Sequence, residues 1–206
     1  MEYDVVIVAA GKGLRANLGF NKALYKMKNG KTVVENSCDI FLNDSDCRKV
    51  ILVTNDEIKS NNKRLTVVRG GKERYNSVMN GLERVESEYV LIHDAVRPFL
   101  RKEALEEVKE KLAECDAVIL GKKSRDTVKI INGDRVLSTV DRDIIFLTET
   151  PQAFRSDLIK DCYEKWDGRS FTDDASLLES QGIPVSVVFD RYDNTKLTSE
   201  EDFEDI

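Results

Sequence analysis

Histidine is almost missing from this chain: His93 is the single one in 206 residues. The four cysteines, Cys38, Cys47, Cys115 and Cys162, are scattered without any C-x-x-C pair. Zinc centres need imidazoles and thiolates at close spacing, so a zinc site is poorly supported, and the cysteines read as reduced structural residues. Long apolar runs are missing too. No stretch approaches the roughly eighteen residues of a membrane span, and Met1-Glu2-Tyr3-Asp4 leads directly into a strand. Neither membrane insertion nor secretion is indicated, and a cytoplasmic protein is expected. There is no long basic stripe: 32 Lys and Arg stand against 38 Asp and Glu, a net charge of -6. Nucleic acid is therefore an unlikely partner. With no repeat, linker or low-complexity segment, and 41% hydrophobic residues, the expectation is one globular domain over residues 1–206.

What is present is an alternation. Val5 to Ala9, Val50 to Thr54, Leu65 to Val68, Tyr89 to Ile92, Ala117 to Leu120 and Val185 to Phe189 read as short β-branched strands. Thr32 to Leu42, Arg74 to Val85 and Glu103 to Leu112 place apolar residues at helical spacing. Such a pattern predicts an α/β fold: an open, mostly parallel, Rossmann-like sheet with helices on both faces. Ligands of these sheets bind beyond the carboxyl ends of the strands, here just after Ala9, Val68, Ile92 and Leu120. One segment breaks the rhythm. Residues 126–140 read as two alternating strands joined at Asn132-Gly133, a hairpin arm over about 125–141. An isolated hairpin is marginal, so packing against a second subunit is expected. Ser199 reads as an N-cap opening a helix that stops soon after it starts.

The stretch after the first strand, Ala9-Ala-Gly-Lys-Gly-Leu-Arg15, has the glycines of a phosphate loop. Neither G-x-G-x-x-G nor G-x-x-x-x-G-K-[ST] spacing is met, and the acidic residue that a dinucleotide site needs after a second strand is missing. Arg15 and Lys22 add two cations that a simple helix-start phosphate site does not require. "HDAVRPF", residues 93–99, puts Asp94 at a strand end with Arg97 three residues on. That pair reads either as a structural ion pair or as a carboxylate able to hold Mg²⁺ on a triphosphate. In "RGGKERYNSV", residues 69–78, Gly70-Gly71 lets backbone approach a flat ligand and Ser77 stands at a helix start.

"AAGKGLR" with Lys22, "GGKERYNSV", "HDAVRPF", "RDTVK", "DRD" ahead of "TPQAF", "TDDAS" and "NTKLT" follow one another over residues 9 to 198. In that order and spacing the chain resembles the 2-C-methyl-D-erythritol 4-phosphate cytidylyltransferases. The resemblance implies a nucleotidyltransferase sheet and a homodimer formed through the arm. It also implies Mg²⁺-dependent transfer from CTP to a polyol phosphate, with pyrophosphate released. Ala10, Gly11 and Gly13 would wrap the CTP phosphates, with Arg15 and Lys22 bracing the α-phosphate. Gly71 and Ser77 would read the cytosine, and Asp94 would hold the metal and the acceptor near Arg97. Thr127, Arg142, Thr150 and Lys196 would serve the acceptor, some across the dimer. Taken alone, those four read as a strand residue, a solvated arginine, part of a turn at Thr150-Pro151-Gln152 and a surface lysine. "TDDAS" alone is an N-cap with acids on a helix dipole.

The chain departs from the family pattern at Asn21-Lys22-Ala23, where Pro-Lys-Gln is usual, at Lys72, commonly acidic, and at Glu149, commonly glutamine or apolar. Two other readings stay open: a ribitol 5-phosphate cytidylyltransferase, and a nucleotide-binding domain without turnover.

Overall fold

The structure is a computed structural model that describes residues 1–11, 20–169, 171–204 and 206. Gly13 and Arg15 lie outside the described residues. The strands are β1 (Tyr3–Val8), β2 (Cys47–Thr54), β3 (Leu65–Arg69), β4 (Tyr89–Asp94), β5 (Ala117–Lys123), β6 (Val128–Asn132), β7 (Arg135–Val140), β8 (Phe146–Arg155) and β9 (Ser186–Phe189). The helices are α1 (Val33–Leu42), α2 (Arg74–Leu82), α3 (Lys102–Leu112), α4 (Ser156–Glu164) and α5 (Asp174–Ser180). Seven strands make one sheet in the order β3-β2-β1-β4-β8-β5-β9, and β6 and β7 pair only with each other. Every pairing in the large sheet is parallel except those of β8, which runs antiparallel to both β4 and β5.

Period-two alternation sorts the strand side chains onto two cores. Val5 and Ile7 of β1, Val50 and Leu52 of β2 and Leu91 of β4 pack with Val34, Cys38 and Phe41 of α1 and with Leu105, Val108 and Leu112 of α3. Their neighbours Val6, Ile51, Val53, Val90 and Ile92 face the other way, against Val78 and Leu82 of α2, Ile159 and Cys162 of α4 and Leu178 of α5. Helices therefore cover both faces, as the alternation predicts. Local signals set the helix starts. Thr32 and Glu35 form a reciprocal capping box at α1, with Glu35 Oε2 accepting from the Thr32 N–H at 2.6 Å. At α5 the Asp173 carboxylate accepts from the Ser176 N–H at 3.2 Å, the cap that "TDDAS" suggests. Ser199 caps a short 3₁₀ turn, Glu200–Phe203, in place of an α-helix.

Two expectations need correction. Thr150-Pro151-Gln152 is not a turn but the middle of β8, with a cis Thr150-Pro151 bond. Proline lacks a ladder donor and argues against a central strand, yet here it falls where the β5–β8 register shifts, between Ile119 and Gly121. The hairpin turns one residue later than expected: Asn132 pairs with Arg135, leaving Gly133-Asp134 as the loop. Gly133 has φ +58, the left-handed backbone that a two-residue hairpin loop demands. α4, Ser156–Glu164, follows β8 with no expectation attached to it, whereas α5 begins at the cap that "TDDAS" suggests.

Candidate active site

A cavity of about 700 Å³ opens at the carboxyl edge of the sheet. Its walls come from the ends of β1 (Val8 to Gly11), β2 (Asn55), β3 (Gly71 to Arg74) and β4 (Asp94, Val96), closed by Asn21, Lys22, Ala23, Ser77 and Lys196. Three of the four strand ends expected to carry ligand meet here. The fourth, after Leu120, does not: Asp190 caps β5 there, its N–H donating to the Gly121 carbonyl at 2.7 Å. Four lining cations, Lys22, Lys72, Arg74 and Lys196, face two lining carboxylates, Glu73 and Asp94. That is a cationic concavity on a chain of net charge -6, the arrangement that concentrates anions.

Asp94 is the last residue of β4 and is buried. Lys196 donates to its Oδ2 at 2.6 Å, and an Arg74 nitrogen lies 3.6 Å from its Oδ1. Burial alone would raise the Asp94 carboxyl, but Arg74 and Lys196 outweigh it and hold the group well below the usual carboxylate range. It is ionised at any working pH. Its backbone is fixed as well, because the Asp94 N–H donates to Thr150 Oγ1 at 3.1 Å. The Thr150 hydroxyl in turn meets His93 Nδ1 at 3.1 Å, and His93 Nε2 meets the Arg97 carbonyl at 3.1 Å. One tautomer satisfies the chain: Nε2–H donates to the carbonyl and Nδ1 accepts from the threonine. Burial pushes the imidazole down to about 4, so His93 is neutral and structural.

Arg74 received no role from the sequence, yet it links this carboxylate to a buried acid behind it. It lies 2.8 Å from Asp174 Oδ2, while the Tyr163 hydroxyl donates to Asp174 Oδ1 at 2.6 Å. Burial works against the guanidinium's charge, but Asp174 and Asp94 raise its pKa overall. The clue was its position as the first residue of α2, three residues beyond the paired glycines.

Gly71 and Ser77 do line the cavity, and they hold each other: the Gly71 N–H donates to Ser77 Oγ at 3.0 Å, and Ser77 donates to the Glu73 carbonyl at 3.2 Å. Both glycines are closely packed: a Cβ at Gly70 would lie 2.2 Å from the Ala10 Cβ, and one at Gly71 2.2 Å from the Asn76 Cβ. Lys22 is buried in the wall, its Nζ donating to the Leu197 carbonyl at 2.7 Å. Ala10 and Gly11 stand at the β1 rim.

The other acceptor candidates stand apart from this cavity. Arg97 is buried and donates to the Asn194 carbonyl at 2.6 Å, with Glu149 3.9 Å away, so the sequence-adjacent pair with Asp94 is not made through its guanidinium. Thr150 commits its hydroxyl to Asp94 and His93. Thr127 and Arg142 are exposed at the base of the arm, where Arg142 donates to the Arg125 carbonyl at 3.1 Å. Among the described residues no three His, Cys, Asp or Glu side chains gather to hold a metal ion. A lone strand-end carboxylate suits a cation that arrives with phosphate oxygens and keeps part of its water shell, as Mg²⁺ does.

Comparison with known proteins gives one consistent match. A sequence profile of the 2-C-methyl-D-erythritol 4-phosphate cytidylyltransferase family matches residues 3–205. A protein of that name from Geobacillus kaustophilus is 37% identical, the alignment covering 98% of this chain and 94% of the relative. One from Alkaliphilus metalliredigens is 39% identical, covering 96% and 88%. The crystal structure of the Francisella tularensis 2-C-methyl-D-erythritol 4-phosphate cytidylyltransferase superposes with a TM-score of 0.86 at 30% identity, covering 99% of this chain and 97% of that one. The 4-diphosphocytidyl-2C-methyl-D-erythritol synthase of Anaerococcus prevotii gives 0.85 at 34% identity, covering 97% and 92%.

Proposed function

The chain belongs to the 2-C-methyl-D-erythritol 4-phosphate cytidylyltransferase family, and on that footing we propose that it joins CTP to 2-C-methyl-D-erythritol 4-phosphate as one catalytic domain. The products are 4-diphosphocytidyl-2-C-methyl-D-erythritol and pyrophosphate, in the non-mevalonate route to isoprenoids. The observation that carries the reading is Asp94: an ionised carboxylate at a strand end, braced by Lys196 and Arg74, inside a cavity with twice as many cations as carboxylates.

An oxygen of the acceptor phosphate attacks the α-phosphorus of CTP. A new P–O bond forms, the bond from the α-phosphorus to the bridging oxygen breaks, and pyrophosphate leaves with the electron pair. The nucleophile is already an anion, so the chain needs no strong base, in keeping with a neutral His93. The difficulty is electrostatic, because two anions must meet while charge grows on the leaving group. Lys22 and Arg15 hold the α-phosphate, and Gly71 and Ser77 orient the base. Lys196 bridges to the acceptor while keeping Asp94 in place. Asp94 would hold Mg²⁺, which would supply positive charge to offset that developing on the leaving pyrophosphate. Preorganised charge and in-line placement supply the rate.

The arm completes this reading. Ile130, Ile131, Val136 and Leu137 of the hairpin are at least half exposed, and Ile144 beside it is 77% exposed. A two-stranded ribbon carrying that much apolar surface calls for a covering partner. A second copy supplies one and brings Thr127 and Arg142 to the neighbouring cavity, which accounts for their distance from their own. Sedimentation should find a dimer, and L137D a monomer with weakened acceptor binding. CTP with Mg²⁺ should raise the melting temperature more than equal ATP or NAD; equal shifts would contradict a cytidine site.

A further inference from the structure

We propose that Asn21 and Asp56 are positioning residues that fix Lys22, giving by hydrogen bonds the restraint that a proline ring would give covalently. The inference rests on the reading of Lys22 as a phosphate clamp. Asn21 immediately precedes the 3₁₀ turn Lys22–Leu24, and its backbone has φ -64 and ψ 115. That φ is the value a pyrrolidine ring imposes, about -65°. No ring is present, and the side chain supplies the contacts that hold the turn instead.

The side chain does so with three hydrogen bonds. Asn21 Oδ1 accepts from the Ala23 N–H at 3.1 Å, closing the turn over Lys22. Its Nδ2 donates to the Ala9 carbonyl at 2.8 Å and to Asp56 Oδ2 at 2.6 Å. The orientation of the amide is forced, since one end meets a donor and the other meets two acceptors. Asp56 is itself pinned: Thr54 donates to the same Oδ2 at 3.2 Å, and the Asp56 N–H donates to Thr54 Oγ1 at 3.1 Å. The ends of β1 and β2 are thereby tied to the turn that carries Lys22. Ile7 of β1 and Val53 and Thr54 of β2 are buried just before the cavity, so the anchor is rigid on the sheet side. The bond to a carboxylate is the strong member of the set. A clamp lysine displaced by even 1 Å can cost up to about a hundredfold in rate, which makes this restraint matter for turnover more than for stability.

The test compares kcat and KM for CTP in wild type, N21A, N21P, D56A and the N21P/D56A double variant, with K22A as reference and thermal melts as a folding check. We expect N21A to lower kcat about tenfold with KM shifted less than about threefold. N21P should recover kcat to within about twofold of wild type, because its ring fixes the same φ. D56A should lower kcat about fivefold when made in the wild type. That loss should largely vanish when D56A is made in N21P, where no amide depends on the carboxylate. N21A turning over like wild type, N21P no better than N21A, or D56A equally harmful in both backgrounds would each overturn the proposal. Should N21A fail to fold, the N21P and D56A pair still decides. Normal turnover by K22A would instead remove the role of Lys22 itself, while an inactive K22A beside a normal N21A would sink only the part given to Asn21.

Discussion

Lys22→Ala should lower kcat by at least about a hundredfold, the scale on which a single charge-stabilising donor acts. In the proposed reaction the ammonium faces charge that grows as the acceptor approaches, so its contribution belongs to the transition state and should appear in kcat more than in KM. The lysine also donates to the Leu197 carbonyl at 2.7 Å, tying down the segment that carries Lys196. Losing that bond costs about 1 kcal/mol of stability, whereas a hundredfold in rate corresponds to about 2.7 kcal/mol. A melting curve close to wild type with collapsed turnover therefore assigns the loss to chemistry. Lys22→Arg keeps the charge with different geometry and should recover only part of the rate. Turnover by Lys22→Ala within about threefold of wild type would contradict the assignment.

Asp94→Asn should be as severe, with kcat down by about a hundred- to a thousandfold. The amide preserves the shape and removes the one lining carboxylate that sits at the end of β4 between Lys196 and Arg74. Affinity should move the other way. With the negative charge gone from a cavity built for phosphates, CTP binding measured without metal should hold or tighten, since a repulsive charge has been deleted. Dependence on Mg²⁺ should weaken sharply. The pH profile should keep its shape: the folded carboxyl titrates below its unfolded value of about 3.9, so its charge is lost only in strong acid. Metal-free CTP affinity falling in step with turnover would mean that the substitution has disordered the site, and turnover near wild type would mean that Asp94 is a structural ion pair only.

Much of this was legible in the chain, and the parts that were not share a cause. Period-two and helical spacing declare an element when one face is apolar, so β1, β2, β4 and α1 to α3 were visible. β8 was hidden because "FLTETPQAFR" mixes threonine, glutamate and proline with its apolar residues, its core position being set by the register with β4 and β5. Asp94 was found because a strand-end acid is a local feature. Arg74 was missed because its importance lies in two partners, one 20 and one 100 residues away along the chain. Asn21 read as the loss of a proline, and only three side-chain bonds show that the restraint was kept by other means. In the same way Thr150 read as part of a turn and proves to hold the Asp94 backbone.

The central claim is the reaction itself, and pyrophosphate release tests it most directly. Protein, Mg²⁺ and CTP should be mixed with 2-C-methyl-D-erythritol 4-phosphate in one series and ribitol 5-phosphate in another. Rapid release with methylerythritol phosphate, together with the matching cytidine diphosphate alcohol and far slower release with ribitol phosphate, is the expected result. Release with ribitol phosphate alone would move the enzyme to another acceptor, and release with neither, while CTP still binds, would leave a nucleotide-binding protein without turnover.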